Sequence, residues 1–249
     1  MTSRALSFDA VAELYDTARP GYPPALFDAV EELAGRPLDG ARVLDVGAGT
    51  GIATRLLLAR GARVTAVEPG PGMAGRLHAV RPDVPLVRAI GDALPFAGAT
   101  ADVITYAQSW HWTDRVRAFD EAMRVLRPGG TLALFWNVLD QSVPWIADQN
   151  ARLRAHGGDG GHGVHGAREQ GPLLAEGVVG EVRRVTWTRT VSLDAHLDNF
   201  HSHSVFRVMG EAATAAFMAD ERAALLQVFP DGRVEEEYVV DLVAARRPA

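Results

Sequence analysis

The stretch Val43-Leu44-Asp45-Val46-Gly47-Ala48-Gly49-Thr50-Gly51 decides how this chain reads. Residues 41–46 are largely apolar and predict a buried strand. Three glycines at alternate positions follow, and Ile52 to Ala59 predicts a helix. A strand, a glycine turn and a helix N-terminus gather backbone N–H groups and the positive end of a helix dipole at one point. Glycine lets a ligand come close to the backbone, because no Cβ is in the way. Gly47, Ala48, Gly49, Thr50 and Gly51 are therefore candidate ligand contacts. The spacing Gly-x-Gly-x-Gly differs from the dinucleotide fingerprint, whose third glycine comes one residue later. It also lacks the Gly-Lys-Ser/Thr ending of a phosphate loop. Asp45 would repel a pyrophosphate and could pair with a cation. The plainer reading is an ordinary strand–glycine–helix turn.

This block resembles the cofactor loop of class I S-adenosylmethionine (SAM)-dependent methyltransferases, whose ligand carries an ammonium and a sulfonium. The resemblance implies a Rossmann-like α/β fold. Its sheet would have seven strands, mostly parallel with the last antiparallel, helices on both faces and a helical cap. It places Asp45 at the amino-acid end of the cofactor.

The 249 residues suffice for one large domain, and a hydrophobic share of 47% supports a substantial core. No apolar run approaches the roughly 20 residues of a membrane span. The start, Met1-Thr2-Ser3-Arg4, has no secretory pattern, and the chain has no cysteine, which excludes disulfides and thiolate metal sites. A cytoplasmic location is expected. Net charge is −6 and the arginines are scattered, so no nucleic-acid groove is expected. These features point to a small-molecule acceptor and leave the oligomeric state open.

Residues 1–36 read as a helical lid. Phe8 to Tyr15 has helical spacing, Arg19-Pro20-Gly21-Tyr22-Pro23-Pro24 is a turn-rich elbow, and Ala25 to Leu33 is a second helix. The segment resembles the lead-in of a small-molecule branch that includes trans-aconitate-type enzymes. That resemblance sets Tyr15 and Arg19 against the cofactor and Tyr22 toward the acceptor. Otherwise Tyr15 packs and Arg19 is solvated.

Residues 37–139 read as the cofactor core. Arg63 to Val67 is a second strand, ending in Glu68, where a carboxylate can accept from ribose hydroxyls. Val84 to Ile90 is a third strand. Asp92 and Ala93 after it resemble the pair that reads the adenine edge, the carboxylate accepting and the backbone N–H donating. A turn cap is the other reading of Asp92. Asp102 to Tyr106 is a fourth strand, and its carboxyl end carries Gln108-Ser109-Trp110-His111-Trp112. Ligands of open α/β sheets bind at that end. This run resembles the Ser-x-His-Trp segment of the same branch, with Gln108 toward the cofactor, Trp110 and Trp112 toward the acceptor, and His111 as candidate base. The bland reading makes both tryptophans core. Arg115 to Leu126 predicts a helix, and Arg127-Pro128-Gly129-Gly130 reverses the chain into a fifth strand, Thr131 to Trp136. Asn137 at its tip is a candidate acceptor contact.

Residues 140–232 read as cap and acceptor-side elements, with the helix, glycine loop and acceptor elements inserted between strands five and six. Val143 to His156 predicts a helix, and residues 157–166 form a glycine- and histidine-rich loop. Strands are expected near 181–191 and 233–244, with Ser192 capping a helix between them and Glu211 to Phe229 forming another. His201 and His203 resemble the position of a Ser-x-Ser segment of the same branch near the acceptor pocket, and structural packing is the plainer reading. As helical neighbours they would point to different faces and could not share one ion, whereas in extended chain they would share a face; no metal is assigned.

The expected reaction moves the SAM methyl to a small molecule, with the oxygen of a carboxylate or hydroxyl favoured. Nitrogen or carbon acceptors, a SAM-binding protein without turnover, and a nucleotide-dependent oxidoreductase are the alternatives.

Overall fold

A computed structural model describes residues 19–156, 173–175, 178–203 and 205–249. Tyr15, its helix and the 157–166 loop lie outside the described residues. The fold is an α/β sandwich around a seven-stranded sheet. Its strands are β1 (Arg42–Val46), β2 (Arg63–Val67), β3 (Leu86–Val87), β4 (Ala101–Ala107), β5 (Leu126–Leu139), β8 (Glu181–Ser192) and β9 (Arg233–Arg246). A separate hairpin pairs β6 (Leu173–Ala175) with β7 (Val178–Val179).

The sheet order is β3-β2-β1-β4-β5-β9-β8. The first five strands run parallel, and β9 enters antiparallel to both β5 and β8. Neighbouring residues of a strand serve opposite faces. Val43, Val103, Phe135 and Leu242 pack in one core with Leu26, Phe27 and Val30 of helix α1 (Pro24–Ala34). Leu44, Ile104, Leu134 and Val243 pack in the other, with Ala118, Ala122 and Val125 of α4 (Arg115–Val125). Helices α2 (Ile52–Ala59) and α3 (Pro71–Val80) follow β1 and β2.

Two expectations change. The third strand is only two residues long. It is the sheet edge, and Arg88 beyond it turns its guanidinium to the Pro69 carbonyl. The fifth strand starts earlier, because Leu126 pairs with Ala101 and the Gly129–Gly130 turn bonds to Arg247. Helix α5 (Pro144–Ala155) follows β5, and α6 (Leu193–His201), α7 (Val205–Met209) and α8 (Glu211–Val228) lie between β8 and β9. The Ser192 hydroxyl caps α6 directly at the end of β8, accepting from Ala195 N–H at 3.1 Å. Among the described residues no helix is long and apolar enough to cross a membrane.

Candidate functional site

The glycine loop takes left-handed backbone angles at Gly47 (φ 70°), Gly49 (φ 58°) and Gly51 (φ 91°). A Cβ on Gly47 would lie 2.4 Å from that of Ser109, whereas one on Gly49 would meet nothing within 4 Å among the described residues. The loop is thus closed on its strand side and open above its centre. The Ser109 hydroxyl donates to the Val46 carbonyl at 2.6 Å and locks the β4 tip onto the loop. Gly47 and Ala48 N–H groups bond back to Val67, and Gly51 N–H to Ala48. Thr50 is buried, and its hydroxyl has no hydrogen-bond partner among the described residues.

Glu68, at the tip of β2, is buried beside this opening. Its two carboxylate oxygens accept from Gly49 N–H and Gly70 N–H, each at 2.8 Å. Open space over Gly49 flanked by this carboxylate suits the ribose of a nucleoside, so the residues present fit SAM.

Asp45 does not face that space. Its side chain is fully buried and accepts from Thr54 Oγ1 at 2.6 Å and Thr105 Oγ1 at 3.0 Å. Burial pushes its carboxyl above the usual range, against the pull of those hydroxyls. It staples β1 to α2 and β4. Asp92 accepts from the Asp114 N–H at 3.2 Å, the residue that caps α4, and the Ala93 N–H donates to Ile90.

Past β4 the predicted run divides. Gln108 holds a left-handed backbone (φ 60°), and its amide donates to the Asn137 carbonyl at 2.7 Å. Trp110 is buried in the core, edge-on to Tyr106 with ring centroids 4.7 Å apart, and does not face the acceptor side. That is the outcome of an aromatic ring finding an aromatic core. His111 and Trp112 stand on the following short turn, half-buried, with ring centroids 4.6 Å apart.

Arg19, Tyr22, Gln108, Asn137 and His203 come together around one open-mouthed cavity. Ile52, the first residue of α2, and Tyr238 of β9 complete its walls with Asn150, Asn199 and Phe200. Asn137 is committed structurally: its amide donates to the Gly21 carbonyl and accepts from the Trp187 indole, both at 3.0 Å. It ties the elbow to the sheet. His201 lies instead in a groove between α6 and α8, beside Leu197 and Met218. An element that reads as one His-x-His motif is split between two surfaces.

Beneath the cavity is a buried polar chain that the sequence did not announce. Glu236 Oε1 accepts from His196 Nδ1 at 2.7 Å, and Oε2 accepts from Tyr238 at 2.9 Å and Arg189 at 2.5 Å. Gln149 links His196 to Glu221, which takes a two-pronged bond from Arg152. Burial raises the Glu236 carboxyl, but His196 and Arg189 outweigh it and hold the group below its usual range. Burial, with the Glu236 charge, lifts the Tyr238 phenol. The only sequence sign of this network is polar residues spaced along α5, α6 and β9, which any solvent-facing helix or strand also shows.

Residues 44–134 match the model of a family described as a methyltransferase domain. An uncharacterized methyltransferase of Mycobacterium tuberculosis is 40% identical over 144 residues, covering 58% of this chain and 57% of that protein. A malonyl-[acyl-carrier protein] O-methyltransferase of Hahella chejuensis is 34% identical over 172 residues, covering 65% of this chain and 57% of that protein. The chain thus spans less than two thirds of the length of these curated relatives. Among solved structures, one assigned as a type II methyltransferase, from Anaeromyxobacter dehalogenans, superposes with a TM-score of 0.68 at 25% identity, covering 92% of this chain and 98% of that one.

Proposed function

We propose that this chain, whose residues 44–134 match a methyltransferase-domain model, is a class I SAM-dependent methyltransferase that moves the methyl group of SAM to an oxygen of a small molecule. The observation that carries this reading is the continuity of two spaces. Ile52 opens the helix behind the glycine loop, and the same residue lines the cavity walled by Arg19, Gln108 and Asn199. A molecule in that cavity lies against the loop.

The sulfonium of SAM supplies a carbon already activated toward displacement. What remains for the chain is to align the acceptor, exclude water and take a proton where one must leave. Glu68 and the open backbone of Gly49 hold the ribose in this reading, and Asp92 reads the adenine edge. Gln108 bridges cofactor and acceptor sides, Tyr22 borders the acceptor, and His111 is the base for a hydroxyl acceptor. Trp112 beside it screens that turn from water. A carboxylate acceptor needs only a cation, and Arg19 is placed for that. The lead-in and the Gln108–Trp112 run favour the trans-aconitate-type branch, and the missing cysteines suit a cytoplasmic location.

Calorimetric titration with SAM and S-adenosylhomocysteine tests the binding half. Release of S-adenosylhomocysteine across panels of hydroxylated and carboxylated compounds tests the transfer. Binding without turnover across both panels would leave a SAM-binding protein, and binding of NAD in place of SAM would turn the reading to an oxidoreductase.

A further inference from the structure

Asn199 stands in the last turn of α6, and His203 follows two residues past the end of that helix. Both line the cavity. Tyr238 donates its only hydroxyl proton to Glu236, so its oxygen accepts from Asn199 Nδ2, at 3.3 Å. This fixes the orientation of the Asn199 amide and leaves Oδ1 as its other end. Asn199 Oδ1 is buried and has no hydrogen-bond partner among the described residues, and the same is true of His203 Nδ1. A buried polar atom left in that state is costly, and a missing ligand atom is one of the few good reasons for it. Burial keeps the His203 imidazole well below its ordinary pKa, and the Arg19 cation and His196 push the same way. The ring is neutral at neutral pH.

We propose that Asn199 and His203 form a recognition pair for an un-ionised hydroxyl group on the acceptor molecule, which donates to Asn199 Oδ1 and accepts from His203 Nδ1–H. This deepens the methyltransferase reading and rests on it. Asn199 Oδ1 can only accept, so its ligand must bring a proton. A carboxylate brings none and would set its lone pairs against that oxygen. An ammonium brings only protons and meets the Arg19 charge. A hydroxyl both donates and accepts, which matches the pair. The rings of Tyr22 and Phe200 on the same cavity suit a flat carbon skeleton.

The test is a matched pair of probes, 4-ethylphenol and 4-ethylbenzoate, titrated into the full chain with and without S-adenosylhomocysteine and followed by ligand-observed NMR. The phenol is expected to bind at least about tenfold more tightly than the benzoate. In Asn199→Leu and His203→Leu the two probes should bind about equally. Tyr238→Phe removes the oxygen that orients the amide, which is then free to turn, and the preference should shrink there as well. Equal binding of both probes to the wild type, binding of neither, or an unchanged preference in the folded variants would overturn the proposal. The cofactor titration is read separately. A chain that selects the phenol but does not bind S-adenosylhomocysteine keeps the hydroxyl site and loses the methyltransferase reading.

Discussion

Glu68 Oε2 accepts a hydrogen bond from the Gly49 N–H at 2.8 Å, joining the tip of β2 to the centre of the glycine loop. Two motifs separated along the chain are thereby one object. Glu68→Ala should weaken SAM binding by about 1–3 kcal/mol, since it removes charge-assisted bonds and loosens the loop. Glu68→Gln keeps the size and one acceptor and should fall between. Calorimetry on folded protein decides, and an unchanged affinity in Glu68→Ala would exclude the ribose role.

The glycines of the loop should separate by readout. Gly47→Ala brings a Cβ onto Ser109 at a left-handed backbone position, so it should cost at least about 2 kcal/mol of stability in urea unfolding. Gly49→Ala meets open space and should cost roughly 1 kcal/mol from its backbone angle alone. Its methyl group projects where the cofactor would lie, so SAM affinity should fall more than stability. Equal losses of both quantities in the two variants would contradict the open cradle.

His111→Ala should reduce turnover by about a hundredfold with a hydroxyl acceptor while leaving SAM affinity nearly unchanged. With a carboxylate acceptor it should matter little. Untouched turnover with the true hydroxyl acceptor would make His111 a packing residue against Trp112.

His203, whose Nδ1 is buried, should make stability fall in mild acid. Its folded-state pKa is depressed, mainly by burial, so below about pH 6.5 the unfolded chain binds a proton that the native state refuses. The contribution is complete above that pH and drains as pH falls toward the depressed value. Thermal melts at about pH 8 and about pH 5 should show a steeper loss for wild type than for His203→Leu. Parallel losses would mean that His203 is not the group responsible.

How much of this was legible in the sequence follows from which residues interact locally. The strand–glycine–helix unit is local, and Gly47, Gly49 and Gly51 adopt the positive φ that their identity permits. Glu68 at a strand tip is local too. Arg19, Tyr22, Gln108 and His203 were placed by resemblance and Asn137 by its position at a strand tip, and the structure gathers them around one cavity. Asp45 and Trp110 were not readable. Whether an acid at the end of a buried strand faces a ligand or two threonines depends on Thr105, 60 residues away. Trp110 went to the core because Tyr106 offered it a ring edge. The left-handed turn at Gln108 gave no sign, because glutamine is not a residue that advertises it. The acceptor wall was least visible: Asn199 and Tyr238 meet only after β9 has paired with β8, a contact no periodicity encodes.

The placement of β9 bears on how the molecule comes into being. Its antiparallel entry between β5 and β8 means that the centre of the far half-sheet is made from residues 233–246, after every other strand has left the ribosome. Until then β5 and β8 each carry an unsatisfied edge, the kind of surface on which nascent chains stick to one another. The same late strand brings Tyr238, and with it the orientation of Asn199. Synthesis therefore delivers the glycine loop early and the Asn199–Tyr238 wall of the cavity last, so a nascent chain holds a complete loop before the cavity beside it is closed.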